Sequence, residues 1–345
     1  MFGGFIGFAY LCRLMKPTND LNIRKSIAIM VLAATFAACS GDSSDTPANS
    51  YNDGPINPSG EAEEIRVNAD VFQMMDGTRT TTFATFDNAA AIKTEGSFIC
   101  KAYDAGTATV NTTSNVNSQV DWISDTSSWA FADGSHNWPE TGDLDFFAYM
   151  PTTTPSTEGY YITGLTYEVS GEPAVLHRYF TCDMTKTVDK DNKEFIFALV
   201  TDQNKEDNIS GVNLAFRHPF ARIYFQLSEA SGTSVEINSI TISGEDFYKT
   251  GTYTFDDPTS TWSSLGGASA LGTLSINTPY IVIPNDYGSS KTITVNASWD
   301  NNKTNFSITS SAVSINWQAG YSYTYTLTVS KYALQVNTSK YTEQW

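Results

Sequence analysis

Histidine is almost missing from this chain: three in 345 residues, His136, His177 and His218, each far from the others and none in an HExxH spacing. A histidine-ligated metal centre or a histidine-driven nucleophile has little to be built from. His218, set before Pro219 between two apolar runs, reads as a turn histidine with its hydrogen bonds satisfied. Cysteine is equally scarce. Cys12, Cys39, Cys100 and Cys182 form no CxxC or Cys/His spacing, which excludes a zinc ribbon. Cys100 and Cys182 leave room for one disulfide or for two separate buried thiols. Positive charge is in deficit, with 20 Lys and Arg against 37 Asp and Glu, a net charge of -17. Such a surface repels phosphate backbones, so nucleic acid is not an expected partner. GxSxG and phosphate-cradling glycine loops are absent. Asp189-Lys-Asp-Asn-Lys-Glu194 lacks the glycine and the ligand spacing of an EF-hand and reads as a solvated loop. No cofactor and no enzymatic activity are expected; paired carboxylates of glycosidase type stay open, because sequence does not reveal their separation.

What is abundant points one way. Eighteen Tyr and twenty Phe accompany many Thr, Ser and Asn, with no helical period. The prediction is an all-β chain. Its clearest strand is Tyr321-Ser-Tyr-Thr-Tyr-Thr-Leu-Thr-Val329, where large residues alternate with small hydroxyl residues. Ile65, Val67, Ala69 and Val71 alternate in the same way to give a first strand, followed by the turn Met75-Asp-Gly-Thr-Arg79. Arg79 then precedes three threonines, and reads as a plain surface arginine or as an exposed basic site of the kind trypsin-like proteases cut. After Val329 the tail continues with Tyr332, Leu334 and Val336 on one parity and Tyr341 and Trp345 on the other, which predicts two short strand segments around a bend. Trp122, Trp129 and Trp138 punctuate a turn-rich stretch, either as plugs at the end of a sandwich or as a sugar-stacking platform.

Ahead of the first strand, Arg24-Lys25 precede the apolar run Ser26 to Ala37, a signal-peptide core too short for a spanning helix. The second apolar patch, Phe2 to Leu14, suggests that translation starts at Met15. Phe36-Ala37-Ala38-Cys39 resembles the lipobox of bacterial lipoproteins, with Phe36 in the usual place of leucine; that resemblance implies lipidation of Cys39. The expected organisation is a leader over 1-38, a flexible tether over 39-63, β-sandwich domains over 64-205 and 206-330, and a tail over 331-345.

Four stretches together resemble a family. The lipoprotein leader, Leu144-Asp-Phe-Phe-Ala-Tyr-Met-Pro151, Leu214-Ala-Phe-Arg-His-Pro-Phe-Ala-Arg-Ile-Tyr-Phe225 and Trp317-Gln-Ala-Gly-Tyr-Ser-Tyr-Thr-Tyr-Thr-Leu-Thr-Val329 look like the fimbrillins, the subunits of type V pili. The resemblance implies two tandem transthyretin-like β-sandwich domains, export as a lipoprotein to the outer membrane and cell surface, and assembly by donor-strand exchange. On this chain it implies loss of the strand Ile65 to Val71 after a cut at Arg79, Arg66 being a second basic site that would split the strand. The donor would be Ala333 to Trp345, with Leu334, Val336, Tyr341 and Trp345 filling a neighbour's groove. Its partners would be copies of itself, related pilus subunits, a processing protease, the outer membrane through lipid, and host or bacterial surface ligands. A lipid-anchored glycan-binding protein is the alternative.

Overall fold

The computed structural model describes residues 63–71, 89–152, 161–171, 175–185, 194–228, 235–255, 260–299, 304–330 and 332–341. The leader, Cys39 and the tether up to residue 62, Arg79 and Trp345 lie outside them. Over the described residues the chain is all β apart from one short helix.

The strands in chain order begin with β1 (Val67–Val71), the helix α1 (Ala89–Glu95), β2 (Ser97–Asp104), β3 (Asn117–Ile123), β4 (Ser128–Phe131) and β5 (Leu144–Met150). They continue with β6 (Ile162–Ser170), β7 (Val175–Asp183), β8 (Ile196–Gln203), β9 (Val212–Phe216), β10 (Ala221–Ser228), β11 (Val235–Ile242) and β12 (Thr250–Thr254). The last are β13 (Thr261–Gly266), β14 (Pro279–Val282), β15 (Asn285–Lys291), β16 (Ile293–Trp299), β17 (Thr304–Thr309), β18 (Val313–Trp317), β19 (Ser322–Val329) and β20 (Leu334–Tyr341). The helix is the element that alternation does not announce. Its sequence AAAIKTE is helix-favouring, but two turns with one buried residue, Ile92, are too short to display a period.

Hydrogen bonding sorts the strands into sheets of order β4-β3-β2-β5-β8, β13-β12-β7-β6, β14-β10-β19-β20 and β11-β16-β17, with the pairs β1-β9 and β15-β18. Pairing crosses the partition expected at residue 205. β9 bonds to β1, and β12 bonds to β7.

Among the described residues three apolar cores result. The first holds Ile65, Val67, Phe98, Phe146, Met150, Leu214 and Phe216. The second lies around Ile223, Phe225, Trp317, Tyr325 and Leu327, where Trp317 Nε1–H donates to the Tyr325 hydroxyl at 2.9 Å. The third is mostly aromatic, with Phe147, Phe180, Phe197, Tyr253 and Phe255. β5 explains why two of these cores adjoin: all seven of its residues are buried. Phe146, Ala148 and Met150 face the first core while Phe147 and Tyr149 face the third. A strand covered on both faces has no polar side to alternate with, hence the run Phe-Phe-Ala-Tyr-Met.

Cys100 and Cys182 are separate free thiols, in the first and third cores. Burial raises both, Cys182 to about 12 and Cys100 further still. At neutral pH neither supplies the thiolate that reacts. In the native protein both should therefore resist a maleimide or disulfide reagent and label only on unfolding; prompt labelling of either in native buffer would contradict the packing.

Candidate functional site

The two residues before β1 and its first four carry the alternation Ile-Arg-Val-Asn-Ala-Asp, and a strand alternation puts every second side chain on one face. Ile65, Val67 and Ala69 are 2%, 3% and 7% exposed in the first core, while Arg66, Asn68 and Asp70 face outward. Burying an Ile or Val fully is worth about 1.5–3 kcal/mol. The strand is thus a true component of that core.

Its backbone is held less completely. Among the described residues, the one ladder it makes is parallel to β9, in continuous register from Val67 opposite Val212 to Val71 opposite Phe216. At the entry to β9, Gly211 adopts φ +100°, and a Cβ there would sit 3.2 Å from the Arg66 carbonyl oxygen. Only glycine lets the two segments cross so closely. The Asn68 amide fastens the same place from β1, donating to the Ser210 carbonyl at 3.1 Å.

Away from β9, β1 faces a cleft of about 440 Å³ whose walls include Glu64, Arg66, Asn68, Trp129, Phe131 and Ser135. β4 stands across this cleft without forming a ladder to β1. β4 packs against the strand there, and hydrogen bonds on that flank are made at the start of the segment. There the Ile65 N–H donates to the His136 carbonyl at 2.7 Å and the Trp138 N–H donates to the Glu63 carbonyl at 2.9 Å. Ser135 Oγ–H also donates to Glu64 Oε1 at 2.7 Å. The segment 133–138 is a clasp on the strand's first residues, which sequence reasoning missed; no local pattern marks it.

The tail is the second half of the candidate site. β20 pairs antiparallel with β19 of the same chain at all eight positions, from Leu334 opposite Val329 to Tyr341 opposite Ser322. The register has no break, which corrects the expectation of two segments around a bend. Leu334 is buried in the second core and Val336 packs on its margin. Beyond them Lys340 Nζ lies 4.0 Å from the centre of the Tyr321 ring, so the inward face ends on a cation–π contact. β20 is the outermost strand of its sheet.

The other singled-out residues are structural in placement. Trp138 is buried against Phe146, and Trp129 packs on the first core edge-to-face with Phe98. Trp122 touches Trp129 and lies 4.4 Å beneath Lys93 Nζ. Trp122 and Trp129 are half-buried, and Trp138 is buried. His218 Nδ1 meets Glu194 Oε1 at 2.6 Å with both side chains buried, and His136 is likewise engaged. Residues 189 to 193 of the acidic loop lie outside the described residues.

A family model described as fimbrillin-like matches residues 74–345, beginning just after β1. Among solved structures, a fimbrial protein from Bacteroides vulgatus aligns at 16% identity with a TM-score of 0.49, over 80% of this chain and 98% of that one. The tip fimbrial protein Mfa3 from Porphyromonas gingivalis aligns at 9% identity with a TM-score of 0.35, over 71% and 93%. No curated protein matches the sequence. With one family model spanning most of its length, through β2, β5, β10 and the β19–β20 hairpin, the chain belongs to the fimbrillin-like family.

Proposed function

We propose that the protein is a structural subunit of a bacterial cell-surface fimbria, in its stalk, that polymerises by donor-strand exchange and supports adhesion. In this reading the precursor is exported as a lipoprotein through Cys39 to the outer membrane, and a protease cuts after Arg79. β1 then leaves, and the tail of another copy, led by Leu334, Val336, Tyr341 and Trp345, takes its place. The two sandwich domains, over 64-205 and 206-330, belong to the same proposal.

The observation that carries it is the standing of β1: a first strand with core-facing Ile65, Val67 and Ala69, one ladder, and a cleft on the other flank. Its loss would expose an apolar groove and the unpaired edge of β9. A strand of like alternation relieves both at once. β20 has that alternation at its start and lies at a sheet edge.

Replacing Arg79→Ala should leave an uncut precursor that forms no fibres, read by mass analysis of the secreted chain and by electron microscopy. Normal trimming after residue 79 and normal fibres would refute the assignment of the cut.

A further inference from the structure

The first strand and the tail spell nearly the same sequence. Residues 65–70 read Ile-Arg-Val-Asn-Ala-Asp, and residues 334–339 read Leu-Gln-Val-Asn-Thr-Ser. Val-Asn is shared at the centre, and the inward positions descend in size in the same order, Ile65, Val67, Ala69 against Leu334, Val336, Thr338. Alternation alone would suit any half-buried strand, so the shared asparagine carries more weight. The Asn68 amide donates to the Ser210 carbonyl at 3.1 Å, and a Cβ on Gly211 would sit 3.1 Å from that amide nitrogen. The glycine leaves a socket beside β9 that an asparagine side chain fills. Asn337 is exposed on β20, on the face opposite Leu334 and Val336, and the alignment of the two segments puts it in that socket.

Burial decides the direction. Run in β1's own direction, the tail puts Leu334 where Ile65 is 2% exposed, Val336 where Val67 is 3% exposed and Thr338 where Ala69 is 7% exposed. Lys340 then falls at the position of Val71, where the ladder to β9 ends. Run the other way over the same positions, the tail puts Lys340 at Ile65 and Thr338 at Val67. An ammonium without a partner in the deepest apolar site carries a penalty that burial of the other side chains does not offset. Sliding the reversed tail to avoid the lysine puts Leu334 at Ala69, which overpacks the smallest of the sites.

We propose that the tail of a second copy takes β1's seat in β1's own direction and register, Leu334 for Ile65 and Val336 for Val67, with the Asn337 amide donating to the Ser210 carbonyl of the acceptor, so that Asn337 sets the register of the joint. β1 is then a resident copy of the strand it gives way to. By the β1–β9 register, Ser339 takes the place of Asp70 and lies opposite Ala215, while Gln335 takes the place of Arg66 at the far end. The exchange of one strand for the other rests on the reading of the tail as the donor, but the fit of both sequences to one seat is measurable on the intact, unassembled chain.

In fibres grown from an equal mixture of full-length chains carrying Ser339→Cys and Ala215→Cys, oxidation should give a 339–215 cross-link, since paired strands stand about 4.7–4.9 Å apart, within a disulfide's reach. Gln335→Cys mixed with Ala215→Cys should give none. The buried Cys100 and Cys182 stay out of the reaction. A 335–215 cross-link, as the reversed direction requires, or fibres that form without either cross-link, would overturn the register and leave strand exchange standing. Asn337→Ala should slow fibre growth about fivefold, the size of one hydrogen bond; unchanged growth would remove Asn337 from the joint. The intact precursor supplies the measurement that needs no fibres. Ile65→Leu with Ala69→Thr writes the tail's inward residues into β1, where Val67 already matches, and should lower the thermal midpoint by less than about 5 °C. Ile65→Lys with Val67→Thr and Ala69→Val writes them in reverse and should lower it by more than about 10 °C. Equal losses from the two variants would overturn the match whether or not fibres form, so a failed register and a failed strand-exchange reading are told apart.

Discussion

Joining Thr326→Cys to Asn337→Cys by a disulfide should stop assembly, and reductant should restore it. The two residues face each other in the middle of the β19–β20 ladder. Opposed positions of an antiparallel pair stand about 4.5–5.5 Å apart at Cα, inside the range a disulfide spans. Neither site is a core anchor: Thr326 is half-buried and Asn337 exposed. The physical basis is exclusion. β20 cannot lie along β19 and in another subunit's groove at once, so in the proposed scheme an eight-residue ladder must open before the tail is donated. Deleting Ala333 to Trp345 should block assembly by the opposite route, removing the donor while leaving a folded monomer that has lost Leu334 from its second core and Val336 from the margin. Size-exclusion chromatography and electron microscopy read both. Fibres of normal length from the oxidised variant, or from the truncation, would remove the tail from the mechanism.

A comparably large effect is expected in stability at Asp145. It sits within β5, 1% exposed between two cores. Its carboxylate accepts from the Gly106 and Asp202 N–H groups, both at 3.0 Å, and from the Tyr167 hydroxyl at 3.4 Å, with Arg178 Nη1 3.8 Å away. It thereby ties β5 to the β6–β7 hairpin and to the end of β8. Asp145→Ala deletes the acceptor common to all of these, and removal of one partner from a buried charged cluster costs roughly 3–5 kcal/mol. Asp145→Asn keeps the shape but turns one acceptor into a donor toward groups that donate, and should cost about 1–3 kcal/mol. Chemical denaturation measures both. A loss below about 1 kcal/mol for the alanine variant would mean that water replaces the carboxylate there.

The strands were largely legible and their partners were not. Tyr321 to Val329, Ile65 to Val71 and Pro279 to Ile283 announce themselves by alternation, and the structure places β19, β1 and β14 on them. Alternation reports which face of a strand is buried, but nothing about which edge it meets. Hence β9, which follows β1 by more than 140 residues, was readable as a strand and not as the partner of β1. The same limit applies to β12, which crosses to β7. The tail shows a different limit. The change of parity after Asn337 suggested a bend, yet an edge strand with one side in solvent tolerates Thr338 and Lys340 on its inward parity. The strand runs straight while Lys340 settles on Tyr321. The clasp at 133–138 had no signal in the local pattern, because two of its three hydrogen bonds join backbone groups that any residues would supply.

The single ladder of β1 also has a mechanical meaning. A donor seated where β1 lies would meet β9 along its whole length, with alternate side chains plugged into the first core. Tension along the strand then loads every bond of the ladder together, in shear. A pull from the cleft side loads the bonds one after another, as in a zipper. In the proposed assembly the seat would therefore be strong along the axis a fibre would stretch and weak across it, holding a filament against flow while admitting each new subunit by a sideways peel.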